Sequence, residues 1–237
     1  MSGERNVRRA IEYTDFRKTI SERDIETMCA EATLYGFGAV IVPSAVVGWA
    51  KKSLSGCGVS IGTVISHPFG SQSASVKAIE AKTALSAGAT RLDIVPHFGA
   101  IASARWDSVR TELETVRDAA GQAELKLVLE MSRLAPEQIR MTSSIAADLG
   151  YAHAVNTVGF RIVSIDPTES LASGEEVASL RKLVSRELGI KAAGGVVTMD
   201  AVTELLNAGA DRIAIMVAPG RLRKMGWTAE IEGGRRA

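Results

Sequence analysis

Cysteine, net charge and long apolar runs are all scarce in this sequence of 237 residues. The two cysteines, Cys29 and Cys57, have no partner at metal-ligand spacing, so neither a zinc site nor a disulfide is predicted, and reduced thiols in a cytoplasmic protein are expected. A net charge of +1 offers no strong field to nucleic acid or an anionic membrane, so neither is an expected partner. The apolar runs are too short to span a bilayer, and MSGERNVRR lacks the apolar stretch of a signal peptide.

Short apolar runs rich in β-forming residues alternate with Ala-rich stretches of helical period along the chain. Continuous apolar strands indicate burial on both faces, as in a parallel sheet covered by helices. Eight such strands favour an α/β fold of the (β/α)8 TIM-barrel type. The alternative is an open doubly wound sheet, which usually has a Gly-rich phosphate turn that is not convincing here. The predicted strands are IEYTDF (11–16), GAVIVP (38–43), SIGTVIS (60–66), TRLDIVP (90–96), LKLVLEM (125–131), AHAVNT (152–157), GIKAAGG (189–195) and RIAIMV (212–217).

The length suits one barrel-sized domain or two small ones. Because no linker, low-complexity segment or domain break interrupts the alternation, one domain is predicted over residues 1–237, with about ten peripheral residues at each end. Ser21, Asp166 and Thr198 each precede a helical stretch and are predicted N-caps. The predicted helices cover roughly 22–35, 44–54, 73–88, 103–120, 136–149, 168–187 and 198–208.

Charged residues within the apolar strands are the first candidates for function, because burying an unpaired charge is costly. These residues are Glu12, Asp93, Lys126, Glu130 and Lys191. Any one of them could belong to a structural ion pair. Together, however, they converge by topology on the C-terminal end of a barrel, where the active site of this fold lies.

Two histidines and a glycine pair are weaker candidates. His67 and His97 follow predicted strands, in SHPFG and PHFG. Each could be a site residue or an ordinary surface histidine. Gly194 and Gly195 precede VVTMD at a predicted helix start, where backbone N–H groups attract anions.

Several segments resemble the deoxyribose-phosphate aldolase family in their order and spacing, over roughly residues 10–217. GATRLDIV and GIKAAGGVVT are the most specific of them, and IEYTDF, GTVISHPFG and LKLVLEM support the match. The resemblance implies a class I aldolase on a TIM barrel that reversibly joins acetaldehyde to glyceraldehyde 3-phosphate, with no metal and no other cofactor. It also makes a homodimer an expectation, because barrels of this family are often dimers.

The resemblance assigns roles to the strand residues by position. Asp93 matches the family's proton-transfer acid, and Lys191 matches the second lysine, whose charge lowers the pKa of the nucleophilic lysine. Lys126 matches a lysine of the pocket's polar network. Glu12 stands where the family usually has aspartate, which keeps the charge on a longer arm.

The family's Schiff-base lysine lies in a strand that ends roughly as Lys-Thr-Ser-Thr-Gly. In this chain the matching stretch reads Val155-Asn156-Thr157-Val158-Gly159, so a valine takes the nucleophile's position. Val155 and Asn156 are therefore expected to line the substrate site without forming an imine.

The phosphate-binding positions also differ from the family pattern. Phe160 follows the glycine where a basic residue is frequent, although Arg161 is adjacent. The last strand reads AIMV (214–217) instead of ending in small and hydroxyl residues, and His67 stands at a usual aromatic. A weaker requirement for phosphate is expected.

Without an amine at Val155, two kinds of chemistry stay open. Lys191, or Lys126, could act as a relocated nucleophile, for which the pKa of the amine would have to fall by about three units, or roughly 4 kcal/mol. Alternatively Asp93, Glu12, His97 and the two lysines could move protons next to a carbonyl without an imine, in retro-aldol cleavage, dehydration or cyclisation.

The leading hypothesis is an aldolase-family lyase acting on a small carbonyl or sugar-like substrate. The alternative is a non-catalytic barrel that binds a ligand or regulates a partner. The retained charges of Asp93 and Lys191 weigh against that alternative, because buried charges without a function would be net destabilising.

Overall fold

Eight parallel strands pair in chain order, and the last closes on the first. The computed structural model that contains them describes residues 7–158 and 172–228. This closed barrel with helices between its strands confirms the predicted TIM barrel. The strands are β1 (Ile11–Thr14), β2 (Ala39–Ile41), β3 (Ser60–Ile65), β4 (Arg91–Ile94), β5 (Glu124–Val128), β6 (His153–Val155), β7 (Gly189–Val196) and β8 (Arg212–Ile215). The helices are α1 (Glu22–Leu34), α2 (Val47–Ser53), α3 (Ala74–Ala87), α4 (Phe98–Ala102), α5 (Trp106–Ala120), α6 (Pro136–Asp148), α7 (Gly174–Leu183) and α8 (Met199–Asn207).

The barrel has two apolar cores, one on each face of its sheet. The larger lies between strands and helices and includes Tyr13, Phe37 and Leu92, all fully buried. The smaller fills part of the barrel interior with short and β-branched side chains. Its buried members are Ala39, Ile41, Val64, Val95, Val128, Val155, Ala193 and Ala214. None of the helices in the described ranges is long and apolar enough to cross a membrane.

Strand register decides which polar residues share the barrel interior. Asp93 pairs with Lys126, Lys126 with His153, and Val155 with Lys191. Residues directly opposite each other in neighbouring strands point to the same face of a sheet. All five side chains therefore face inward, and the charged ones lie at similar heights along the barrel axis.

Helix caps follow the sequence signals where the structure describes them. Ser21 accepts a hydrogen bond from a first-turn amide of α1 in a capping box, and Thr198 caps α8 in the same way. The predicted cap at Asp166 lies outside the described residues. The described part of its helix begins with Ser173 as N-cap and ends at Leu183, short of the predicted residue 187.

Near the C-terminal ends of the strands, the structure differs from the sequence prediction at β5 and after β4, and β1, β2, β4, β6 and β8 also end two residues early. β5 ends at Val128, three residues before the predicted end, because Glu130 takes a left-handed conformation with φ 42°. A short extra helix, α4, follows β4, with His97 as its N-cap. Its five residues are too few for a helical period to show in the sequence.

A buried ion pair ties together the segments that follow β3 and β4. Lys77 of α3 is fully buried, and its Nζ lies 2.6 Å from Glu112 Oε1 of α5. The same Nζ donates to the carbonyl oxygens of Gly70 and Val95, each at 2.8 Å. Burial lowers the pKa of Lys77, and the charge of Glu112 opposes part of that shift. Removing the amine would leave the Glu112 carboxylate buried without its cation.

We expect Lys77→Met to reduce the free energy of unfolding by about 3 kcal/mol, measured by urea denaturation, because it strands a buried carboxylate. The double variant Lys77→Met/Glu112→Leu should lose clearly less, since no uncompensated charge is left. Lys52→Met is the matched control, because Lys52 is exposed and 3.9 Å from Glu22. Equal losses in the single and double variants would contradict this account.

Candidate active site

Four of the predicted site residues meet inside the barrel: Glu12, Asp93, Lys126 and Lys191, from β1, β4, β5 and β7. Lys191 Nζ lies 2.6 Å from Glu12 Oε2 and 2.5 Å from Asp93 Oδ2. Lys126 Nζ lies 3.2 Å from Glu12 Oε1 and 3.2 Å from Asp93 Oδ1. Each lysine thus contacts both carboxylates, and we call these four side chains the ionic square.

Charge balance within the ionic square offsets the cost of its burial, since no side chain of the four is more than 4% exposed. Burial alone raises the pKa of Glu12, but the cations Lys126, Lys191 and Arg91 together hold it well below its usual value. Burial alone lowers the pKa of Lys126, and the carboxylates around it outweigh that effect and raise it. The charged form of Lys126 is therefore favoured, whereas an imine requires a neutral amine.

A second layer of charged groups continues the network toward the N-terminal ends of the strands. Arg91 Nη1 lies 2.9 Å from Glu12 Oε1, and Lys126 Nζ lies 3.3 Å from Glu124 Oε1. Sequence reasoning missed Arg91 and Glu124. The available signal was spacing, because each precedes a square residue by two positions and so shares its face of the strand.

A small cavity opens above the ionic square at the C-terminal ends of the strands. Its volume is about 20 Å³, which is room for roughly one water molecule. Asp93 and Lys191 are its charged lining residues, whereas Glu12 and Lys126 lie beneath it. The lining is Thr14, Phe16, Ile41, Val64, Asp93, Val128, Val155, Thr157, Val158, Lys191, Ala193, Ala214 and Met216. We call this space the mouth cavity. Of the square's two lysines, Lys191 is the one that a substrate entering it would meet.

Val155 occupies the cavity wall beside Lys191. It is 2% exposed and is the register partner of Lys191 across β6 and β7. The cation therefore has an aliphatic neighbour on one side and the carboxylates of the ionic square on the other.

The structure does not bring His97 to the ionic square. Its side chain is exposed, and Nδ1 accepts a hydrogen bond from Ala100 N as the cap of α4. His67 lies closer to the mouth cavity, because its ring stacks on Phe16 with centroids 4.6 Å apart. Burial lowers the pKa of His67, which favours a neutral imidazole at neutral pH.

Asn156 and the glycine pair are placed next to the mouth cavity but do not line it. The buried side chain of Asn156 joins β6 to β7: Oδ1 accepts from Ala193 N at 2.7 Å, and Nδ2 donates to Ala193 O at 2.9 Å. Gly194 and Gly195, with φ 118° and 62°, form an irregularity where β7 loses register with β8. These three residues shape the end of β7. The phosphate-related candidates Phe160 and Arg161 lie outside the described residues.

No group of three or more His, Cys, Asp or Glu side chains within residues 7–158 and 172–228 is arranged to hold a metal ion. The charged groups that line the mouth cavity are the ammonium of Lys191 and the carboxylate of Asp93, in direct contact. Such a pair can hold, donate and accept a proton.

Comparison with known proteins identifies the family. The model of the DeoC/LacD family of aldolases matches residues 9–221. The chain belongs to this family. A deoxyribose-phosphate aldolase from Actinobacillus succinogenes is 35% identical over 209 residues, covering 88% of this chain and 90% of that protein. Deoxyribose-phosphate aldolase 1 from Cutibacterium acnes is 33% identical over 203 residues, covering 86% and 90%. These matches confirm the resemblance to deoxyribose-phosphate aldolases.

Solved structures of aldolases share the same barrel. A structure described as QR15, an aldolase, superposes with a TM-score of 0.79 at 29% identity, covering 88% of this chain and 90% of that one. The deoxyribose phosphate aldolase of Aeropyrum pernix, described as a tetramer, superposes with a TM-score of 0.81, covering 95% and 93%. At 24% identity, this second likeness shows the fold alone.

Replacing Glu12 by glutamine tests the charge balance of the ionic square. We expect Glu12→Gln to lower the free energy of unfolding at pH 7 by about 3 kcal/mol, because three cations lose a buried counter-charge. The folded-state pKa of Glu12 is depressed, so its contribution is complete above the ordinary value of 4.5 and is lost as pH falls through the folded pKa. Denaturation at a series of pH values should therefore show the difference in unfolding free energy between wild type and variant becoming smaller as the pH falls below 4.5.

Glu22→Gln is the matched control for this series, since the Glu22 side chain is 52% exposed. It should leave the free energy of unfolding almost unchanged. A Glu12→Gln variant as stable as wild type at pH 7 would contradict the charge balance described here.

Proposed function

We propose that the chain is an aldolase-family lyase that cleaves or forms a carbon–carbon bond next to a small carbonyl by proton transfer, without an imine. One observation carries the proposal: Lys191 Nζ and Asp93 Oδ2 are 2.5 Å apart and together face the mouth cavity. The match to deoxyribose-phosphate aldolases supports the reaction class. Residue 155 is a valine, whose side chain has no amine, and this supports the absence of an imine at that position.

The contacts of Lys191 favour its role as an acid over a role as a nucleophile. Its Nζ is within 2.6 Å of two carboxylates, an arrangement that stabilises the ammonium form. An imine requires a neutral amine, which is favoured by desolvation or a neighbouring cation. Lys191 has two carboxylates in contact instead, so we assign it the role of the acid.

In the cleavage direction, the substrate is a β-hydroxy carbonyl compound. The Asp93 carboxylate accepts the proton of the β-hydroxyl group, and that oxygen forms the new carbonyl as the carbon–carbon bond breaks. The electron pair of that bond moves to the original carbonyl, whose developing negative charge is stabilised by the ammonium of Lys191. Lys191 then protonates the carbon of the enolate. The proton held by Asp93 passes to Lys191, which restores the starting form of both side chains.

Deoxyribose 5-phosphate is the first substrate to test, because the relatives are named for it. Unphosphorylated deoxyribose is the second, because β8 and the residue after it offer Ala214 and Met216 to the mouth cavity rather than hydroxyl groups. With about 20 Å³ of space, the cavity must widen to admit either sugar. Phe16, Val158 and Met216, all partly exposed, are the apolar lining residues that we expect to move.

A relocated imine is the second candidate, because Lys191 is the one lysine among the described residues that lines the mouth cavity. A non-catalytic barrel is the third. A small molecule is the proposed partner in every case, and a homodimer stays a prediction.

Activity and trapping measurements together separate these candidates. We expect release of acetaldehyde from one or both sugars, with Asp93→Asn and Lys191→Met each reducing the rate by about 10²–10⁴-fold. Borohydride with acetaldehyde should leave wild type unmodified by peptide mass mapping. The matched controls Asp118→Asn and Lys82→Met change exposed residues and should retain full activity. Trapping at Lys191 would show that the reaction proceeds through an imine and would contradict acid–base catalysis alone. Absence of turnover with every carbonyl substrate would favour the non-catalytic barrel.

Installing a lysine at position 155 tests whether Val155 occupies the imine-forming position. In Val155→Lys the new amine would lie beside the ammonium of Lys191, which lowers its pKa and favours the neutral form. We expect borohydride trapping of acetaldehyde at residue 155. The control is Val64→Lys, which lines the same cavity but is the register partner of Asp93, so its amine should stay charged and untrapped. Equal trapping at both positions, or none at 155, would contradict the assignment.

A further inference from the structure

A second and larger cavity lies at the opposite end of the barrel. Its volume is about 540 Å³, within the range of small-molecule sites. Ser60, Arg91 and Arg212, the first residues of β3, β4 and β8, line it, which places it at the N-terminal ends of the strands. We call it the floor cavity. Its full lining is Val7, Arg9, Ala10, Gly38, Gly58, Ser60, Arg91, Leu206, Ala210, Asp211 and Arg212.

Arginine dominates the charge of the floor cavity. Arg9, Arg91 and Arg212 line it, against the single carboxylate of Asp211. Oδ2 of Asp211 accepts a hydrogen bond from Ile190 N at 2.8 Å. The positive groups therefore outnumber the negative ones, and one oxygen of that carboxylate already has a partner.

Two of these arginines have no ion-pair partner within the described residues. Arg9 Nη1 donates to the carbonyl oxygen of Gly58 at 3.1 Å, and Arg212 Nη1 donates to that of Asp211 at 2.9 Å. Nε of Arg212 is buried and has no hydrogen-bond partner in the described part of the chain. A buried donor without an acceptor is costly, and it marks a place where an acceptor is expected.

Arg91 differs from the other two arginines because it already contacts two carboxylates. Its Nη1 lies 2.9 Å from Glu12 Oε1, and its Nε lies 3.6 Å from Glu124 Oε2. Its side chain is 14% exposed. Arg91 thus adds positive charge at the inner wall of the floor cavity, while Arg9 and Arg212 supply free donors.

We propose that the floor cavity is a binding site for a small oxyanion, with the phosphoryl group as the chemistry that fits it best. Planar guanidinium groups match the oxygens of phosphate and carboxylate with paired N–H donors. The guanidinium of Arg212 would bind the ligand from the cavity wall, and Arg9 would neutralise it from the exposed rim. The site is separate from the mouth cavity, since the ionic square lies between them and the two cavities share no lining residue.

Calorimetric titration with inorganic phosphate at constant ionic strength, matched with sodium chloride, tests the proposal. Wild type should bind phosphate, and Arg212→Gln should bind it about tenfold more weakly or worse, because a charge-assisted hydrogen bond is lost. Arg9→Gln provides a second variant on an exposed residue, where misfolding is not expected, and should weaken binding in the same direction. The matched control is Arg23→Gln, which should bind like wild type, because Arg23 is exposed, does not line the cavity, and lies in the first turn of the helix that follows the C-terminal end of β1.

The Lys191→Met variant distinguishes phosphate binding at the floor cavity from phosphate binding at the mouth cavity. If phosphate binds at the floor, this variant keeps wild-type affinity even though it removes the cation of the mouth cavity. Loss of binding in Lys191→Met with retention in Arg212→Gln and Arg9→Gln would place the anion at the mouth and overturn the proposal. No heat of binding in wild type at tens of millimolar phosphate, or equal weakening by Arg23→Gln, would also overturn it. These outcomes do not depend on turnover, so they are distinguishable from a failure of the proposed lyase activity.

Discussion

Mutual neutralisation of two lysines and two carboxylates inside a closed barrel is the interaction on which this molecule depends. Isolated buried charges would cost several kcal/mol each. The contacts of Lys191 and Lys126 with both Glu12 and Asp93, at 2.5–3.2 Å, offset that cost within one compact group. The register of the parallel strands produces this arrangement, because inward-facing residues of different strands meet at the same height. Asp93 and Lys191 of this group face the mouth cavity, and Glu12 contacts Arg91 at the floor cavity.

The apolar layer above the ionic square determines what the charges can do. Val155 and Val128 belong to it, and they leave Asp93 and Lys191 as the charged groups that face the mouth cavity. An ammonium held between carboxylates favours proton transfer over attack on a carbonyl. Val155, an aliphatic side chain, is the register partner of Lys191 in β6. In the proposed function the barrel therefore carries out acid–base chemistry, where an amine at position 155 would allow an imine.

The charged network also links the two ends of the barrel. Glu12 contacts Lys191 on the mouth side and Arg91 on the floor side, so one carboxylate is shared between the two cavities. Lys126 and Glu124 form a parallel connection. The two ends of the barrel are thus joined by a continuous series of charged contacts.

Apolar strands that alternate with helices predict the barrel, and motifs such as GATRLDIV and GIKAAGGVVT indicate the family. The members of the ionic square also stand out in the sequence, since each is a charged residue within an apolar strand. The folded chain was needed to show that Lys126 lies beneath the mouth cavity, that His97 caps a helix, that Asn156 joins two strands, and that arginines without an ion-pair partner among the described residues line a floor cavity. These facts depend on side-chain direction and on contacts between residues far apart in the chain, which local sequence pattern does not contain.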